Sequence, residues 1–174
     1  MVASVLAVAL GIWGIVIVFG AVNQLGQDLS SVGAGTPAAT SAPAAAAVGF
    51  GQTFTYADGL AVTVSEPTSY DPSRYAAGNT NPHAYKVTVR VTNNTGAAFD
   101  PTLLQVAMTT GGVQASSIID SQNDINGFAP QNQLQPGRSL TYDVAFSTTA
   151  NSGEAQVDVT PSFSHDPAVF TGTL

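Results

Sequence analysis

Three groups of residues in this sequence carry side chains that could do chemistry. Ser164-His165-Asp166 sets a nucleophile, a base and an acid in consecutive positions. A hydrolytic triad needs those groups to converge, whereas neighbours on an extended chain point to opposite faces, so the run reads as a polar turn before Pro167. His83 follows Pro82 at the head of an alternating segment, and the chain holds one other histidine and no cysteine. That excludes multi-histidine and thiolate metal centres. Asp120, Gln122, Asp124 and Asn126-Gly127 place oxygen ligands at alternate positions ahead of a glycine, as a calcium loop does. In that register Gln122 stands where an Asp is required and Gln133 where a bidentate Glu is required. A plain polar loop is expected there, with no metal and no cofactor.

The remaining candidates are residues of recognition. One polar insertion runs from Tyr70-Asp71-Pro72-Ser73-Arg74-Tyr75 through Gly78 to His83, and a second spans Asp120 to Gln131 and includes Asp124. Tyr and Arg are favoured at binding hot spots, which marks Tyr70, Arg74, Tyr75, His83, Asp120 and Asp124 as candidate partner or ligand contacts. A further set lies near the N-terminus. Ala3, Ala7, Gly11, Gly14, Val18 and Ala21 advance by three or four residues, and on a helix they fall within an arc of roughly 80°. Small residues there let a second helix approach closely. Trp13 lies near the middle of the same segment, where its indole N–H would lack a partner in hydrocarbon, so a protein neighbour is expected on this face.

The elements that must position these residues divide the 174-residue chain into three parts. Residues 1–22 form the first. From Val2 to Val22 no residue is charged, and at 1.5 Å per residue the run spans roughly 30 Å, the thickness of a bilayer's hydrocarbon core. A cleaved signal peptide wants a basic start and a small-x-small site; Met1 is followed by neither Lys nor Arg, and Phe19-Gly20-Ala21 carries a ring. An uncleaved transmembrane anchor is the expectation. Residues 23–48 hold no aromatic and one charge, Asp28, with Pro37 and Pro43 stiffening an Ala, Ser and Thr background. Such a segment buries too little surface to offset the entropy of ordering, and it reads as a semi-rigid stalk.

From Gly49 onward the hydrophobic period is two. Tyr85, Val87, Val89 and Val91 alternate with Lys86, Thr88, Arg90 and Thr92, and similar rows run through Leu60–Val64, Leu104–Met108, Leu140–Phe146 and Ala155–Val159. Asn93-Asn94-Thr95-Gly96, Gly111-Gly112, Pro136-Gly137 and Asn151-Ser152-Gly153 separate them as turn signals. No 3.6-residue period is sustained. This pattern predicts an all-β domain over residues 49–174, an immunoglobulin-like antiparallel β-sandwich of about seven strands. All four cationic side chains and ten of the eleven acids lie in this part, a net charge of −6. Such a balance repels phosphate backbones, so nucleic acid is excluded as a partner.

Two runs carry a resemblance. Leu134-Gln135-Pro136-Gly137-Arg138-Ser139, followed by the strand TYDVAF, and Tyr85–Thr92 ending in Asn93-Asn94-Thr95 together resemble an extracytoplasmic immunoglobulin-like domain family. That family occurs in actinobacterial and firmicute membrane-anchored proteins and lipoproteins, and the mycobacterial immunoprotective secreted antigen is similar to it in fold. The resemblance covers residues 49–174 and implies fold and an extracytoplasmic location. It transfers no functional residue, since family members mostly lack an assigned activity, and the lipoprotein cysteine is missing here.

These readings converge on a non-catalytic, single-pass protein of the plasma membrane with its N-terminus cytoplasmic and its sandwich outside. It would serve as an accessory or scaffold subunit of a larger cell-envelope complex, with integral membrane proteins as partners and lipid around the anchor. The alternative is a displayed or secreted domain that binds a wall component, lipid or peptide through its end loops. No nucleophile, base and oxyanion donors can be named together, so an enzyme is not expected.

Overall fold

The computed structural model describes residues 47–174. The anchor and nearly all of the stalk, and with them Ala3, Ala7, Gly11, Trp13, Gly14 and Ala21, lie outside the described residues. Among those described, no helix is long and apolar enough to cross a membrane.

Alternation of β-branched residues with polar ones gives two sheets. The five-stranded sheet has the order β1 (Val48–Gly49), β11 (Ala168–Thr173), β10 (Glu154–Thr160), β6 (Gln105–Thr110), β7 (Val113–Gln114). In the six-stranded sheet β2 (Thr53–Thr55), β3 (Leu60–Val64), β5 (His83–Asn93), β9 (Ser139–Thr148) and β8 (Ser116–Ile118) follow one another, and β4 (Thr68–Ser69) pairs with the start of β5. All pairings are antiparallel except β1 with β11. Eleven segments thus stand where about seven strands were expected; five of them are two or three residues long, too short to show a period.

The core lies between the sheets. Leu60, Val62 and Val64 of β3, Val87, Val89 and Val91 of β5, and Val144 and Phe146 of β9 face Met108, Ala155, Val157, Val159 and Phe170 from the other sheet. Each Val, Leu, Met or Phe among them, fully buried, is worth about 1.5–3 kcal/mol in transfer free energy, so the alternating rows are what fixes strand register. A hydrogen bond between the buried hydroxyls of Thr110 and Thr148 joins β6 to β9 across the sandwich.

A second, smaller apolar cluster sits on the outer face of the six-stranded sheet. Ile118, Ile125 and Ala145 form it, with Tyr70, Ala76 and Ala84 packed against them. Ala84 and Ala145 occupy outward positions on β5 and β9, out of phase with the core rows. They are buried because the two polar insertions fold over them, which lays the candidate loops on the outer face of this sheet near the start of β5.

Candidate functional site

The two insertions named as candidate binding loops form one platform. Ala77 and Ile119 exchange backbone hydrogen bonds of 2.8 and 2.9 Å, a miniature ladder between segments more than forty residues apart. The approach is close enough to require glycine. Gly78 has φ +81°, and a Cβ there would lie 2.0 Å from the carbonyl oxygen of Ser117.

Asp120 braces the platform from beneath. Its side chain is buried, and both oxygens accept from the first loop: the Ser73 hydroxyl at 2.6 Å, the Ser73 N–H at 2.7 Å and the Tyr70 hydroxyl at 2.7 Å. Asn123 Nδ2 adds a bond of 2.9 Å. These donors, the Ser73 hydroxyl foremost, hold the carboxyl well below the usual carboxylate range. Burial, and then the carboxylate beside it, push the Tyr70 phenol up. Asp120 and Tyr70 therefore face each other instead of a ligand. Asp124, at φ +58°, ends the short 3₁₀ turn Ser121–Asn123. No three acidic or histidine side chains converge into a metal-binding group among the described residues.

What the platform shows to solvent is aromatic and aliphatic. Tyr75 is 62% exposed, Phe128 60% and Ile119 49%. Arg74 lies over the Tyr75 ring at 4.5 Å and bonds its hydroxyl, so the pair is stiffened before any partner arrives. A Cβ at Gly127 would touch Ile119 Cγ1 at 3.2 Å, which sets the Phe128 segment beside Ile119. Ile119 and Phe128 were not among the candidates read from the sequence. Their signal is one large apolar residue inside a polar insertion, Phe128, and one at its edge, Ile119. His83 begins β5 opposite Thr148, outside this patch.

The Ser164-His165-Asp166 run does not act as a unit, yet His165 joins a different chain of groups. Its Nδ1 lies 2.7 Å from Ser162 Oγ, and its Nε2 lies 3.0 Å from Asp58 Oδ2 in the β2–β3 turn. The serine oxygen also accepts the Ser164 N–H at 3.3 Å, as a turn-forming serine does. Tyr56 packs edge-on against the imidazole at 4.7 Å and donates to the Asp166 carbonyl at 3.0 Å; burial pushes its phenol up to about 12. Asp58 is held below the usual carboxylate range by the Leu60 N–H first and by His165 further. The cluster ties the β2–β3 turn of one sheet to the β10–β11 connection of the other. The open hollows on the surface lie elsewhere, one lined by Thr109, Glu154, Gln156 and Thr171 and one by Phe50, Glu66 and Pro67.

At the other end of β5, the two motifs that carried the family resemblance meet. Asn93 is fully buried, and its Nδ2 donates to the carbonyls of Ala97 at 2.8 Å and Leu134 at 2.7 Å. Its Oδ1 accepts from Thr95 N at 3.0 Å, and its main chain bonds Arg138 and Gly137. The polar ends of both motifs are thus one structural node, not a ligand site.

No protein-family model matches this chain, and no curated protein matches it in sequence. Among solved structures it is similar to a candidate lipoprotein, YcdA, of Bacillus subtilis, with a TM-score of 0.53 and 15% identity over 70% of this chain and 38% of that one. It therefore spans well under half of the Bacillus protein. The secreted protein MPT63 of Mycobacterium tuberculosis matches at a TM-score of 0.49 with 17% identity, over 71% of this chain and 92% of that one. A β-sandwich protein of Clostridium difficile matches at 0.45 with 12% identity, over 71% and 91%. The likeness to the Bacillus protein is one of fold, a two-sheet β-sandwich.

Proposed function

We propose that this chain is a non-catalytic, extracytoplasmic immunoglobulin-like module, tethered to the plasma membrane by residues 1–22, that binds a protein partner in a cell-envelope assembly. The observation that carries this reading is the braced platform. An internally satisfied Asp120 fixes two loops from beneath while Tyr75, Ile119 and Phe128 stand in solvent above them. Aromatic and arginine side chains held rigid before contact cost little entropy to bury, which is what a recognition surface needs. The uncharged run from Val2 to Val22 supports the tether, and the fold shared with a candidate lipoprotein supports the location.

Recovery of the tagged chain from mild-detergent membrane extracts tests this. A stoichiometric membrane partner is expected with the native sequence and is lost in the Tyr75→Ala, Phe128→Ala double variant. Gly11→Leu with Gly14→Leu is expected to weaken the same complex through the helix face. Recovery of the chain alone would sink the reading. It would leave a displayed or secreted domain with a non-protein ligand, the second reading, which a separate polar face around Arg90 favours.

A further inference from the structure

All the cations of this acidic chain lie on one side. Arg74, Lys86, Arg90 and Arg138 belong to the six-stranded sheet, the turn that leads into it or the loop folded over it, whereas the strands of the other sheet carry Glu154 and Asp158 and neither Lys nor Arg. Lys86 is already engaged: its Nζ meets Asp143 at 2.9 Å, and the Thr88 hydroxyl takes the other oxygen at 2.6 Å. Arg90 is different. It is exposed, its cross-strand neighbours are Thr63 and Thr141, and among the described residues it joins no salt bridge; its bond to Ser139 Oγ is 3.5 Å long.

Hydroxyls surround that guanidinium. Thr53 and Thr63 bond each other at 2.8 Å, as do Thr92 and Ser139. Such a pair spends one hydrogen and keeps another donor and several lone pairs for a ligand. The geometry points to a binding site for an anionic saccharide, a sugar carrying a phosphate, on the open half of this sheet face, with Arg90 receiving the anion and the threonine and serine hydroxyls receiving the sugar.

One cation among many hydroxyls is the complement of one anion among many hydroxyls, and a guanidinium fork matches phosphate oxygens two at a time. A dense polyanion fits worse. A nucleic acid duplex brings a charge about every 1.7 Å and would meet the domain's surplus of acids. A single phosphate at Arg90 meets fewer of them, because the carboxylate on the neighbouring strand of this face, Asp143, is already paired with Lys86. A flat bilayer also fits worse. The loop platform covers the Ala84 and Ala145 part of the same face, so a plane laid on the sheet would have to accommodate it.

The test is a titration of the full chain in micelles, followed by amide NMR shifts, with glucose 1-phosphate, glucose and inorganic phosphate as separate probes. The sugar phosphate is expected to shift Thr63, Arg90 and Thr141 and to bind at least tenfold tighter than either half. Arg90→Gln is expected to reduce its affinity about tenfold, to the level of glucose. Thr141→Glu, which keeps the guanidinium but sets a carboxylate beside it, is expected to do the same, while Asp158→Asn on the other sheet leaves binding unchanged. Phosphate binding as well as the sugar phosphate would overturn the proposal, as would no binding, an Arg90→Gln variant that binds equally, or shifts that arise only with phosphatidylglycerol vesicles. None of these outcomes depends on whether a protein partner is recovered through the loop platform.

Discussion

Asn93 and Asp120 each tie distant pieces of chain together at opposite ends of the β5–β9 pair, and they do so with different chemistry. The amide of Asn93 is neutral, fully buried and continuous with the main core through Leu134. Asp120 is a carboxylate that gathers hydroxyl and amide donors beside a small separate cluster of Ile118, Ile125 and Ala145. The first arrangement fails only if the sandwich fails. The second is expected to open by itself, because the apolar surface beneath it is slight and belongs to no core strand row. A rigid frame with one independently braced platform is a sensible division for a protein that binds.

The largest expected effect is at the node. Asn93→Ala removes three hydrogen bonds, the two its amide donates to the carbonyls of Ala97 and Leu134 and the one its Oδ1 accepts from Thr95 N, while the carbonyls keep Thr95 Oγ1 and Phe99 N as donors. At about 0.5–1.5 kcal/mol for each of these bonds, a loss of roughly 2–4 kcal/mol is expected in urea unfolding, a large part of the stability of a domain this size. A loss below about 1 kcal/mol would show that water replaces the amide and that the node is not core.

Gly78→Ala comes next and should spare the frame. Its Cβ would overlap the Ser117 carbonyl at a positive φ, so the first loop must lift or the strand must shift. A cost of roughly 2–3 kcal/mol is expected, confined to the platform. Hydrogen exchange reads this directly: the Ala77 and Ile119 amides should exchange faster while the β5–β9 ladder stays protected. Loss of protection along β5 as well would show that platform and frame unfold together.

Acid separates the two regions without mutation. The Asp120 carboxyl is held low in the folded chain, so it contributes stability that is fully present above the ordinary unfolded value near 3.9 and is lost as pH falls below that toward the folded value. The Asn93 node has no titrating group. Between about pH 4 and pH 2 the Ser73 and Tyr70 resonances are expected to move and the platform amides to lose protection before those of Asn93 and Leu134. Simultaneous loss at both places would remove the distinction.

Much of the frame is legible in the sequence because register is written in residue type. The rows at Leu60, Tyr85, Leu140 and Ala155 coincide with β3, β5, β9 and β10. β11 escapes because the positions in its inward phase are Ala168, Phe170 and Gly172, and the last lies against the Phe50 ring, a contact between segments far apart in sequence. Asn93 reads as a turn residue, although it continues the inward phase of Val87, Val89 and Val91; a polar residue in that phase is the signal of a buried amide. Ala145 and Ser147 look solvated by alternation and are buried, since their cover comes from loops that no local period describes.

The smallest effect expected on stability is where recognition is proposed. Tyr75→Ser with Phe128→Ser removes two rings that are mostly in water, so burial lost is minor, and the contact of Arg74 with Tyr75 is worth only about 0.5–1 kcal/mol at an exposed site. Unfolding free energy should change by no more than about 1 kcal/mol, against several for Asn93→Ala, even though far more apolar surface is deleted. Surface that can be removed at so little cost to the fold is available for a partner. A fall in stability comparable to the Asn93 variant would mean that the rings shield Ile125 and Ala145 from water, and the platform would then be cover for the sheet, not a face for binding.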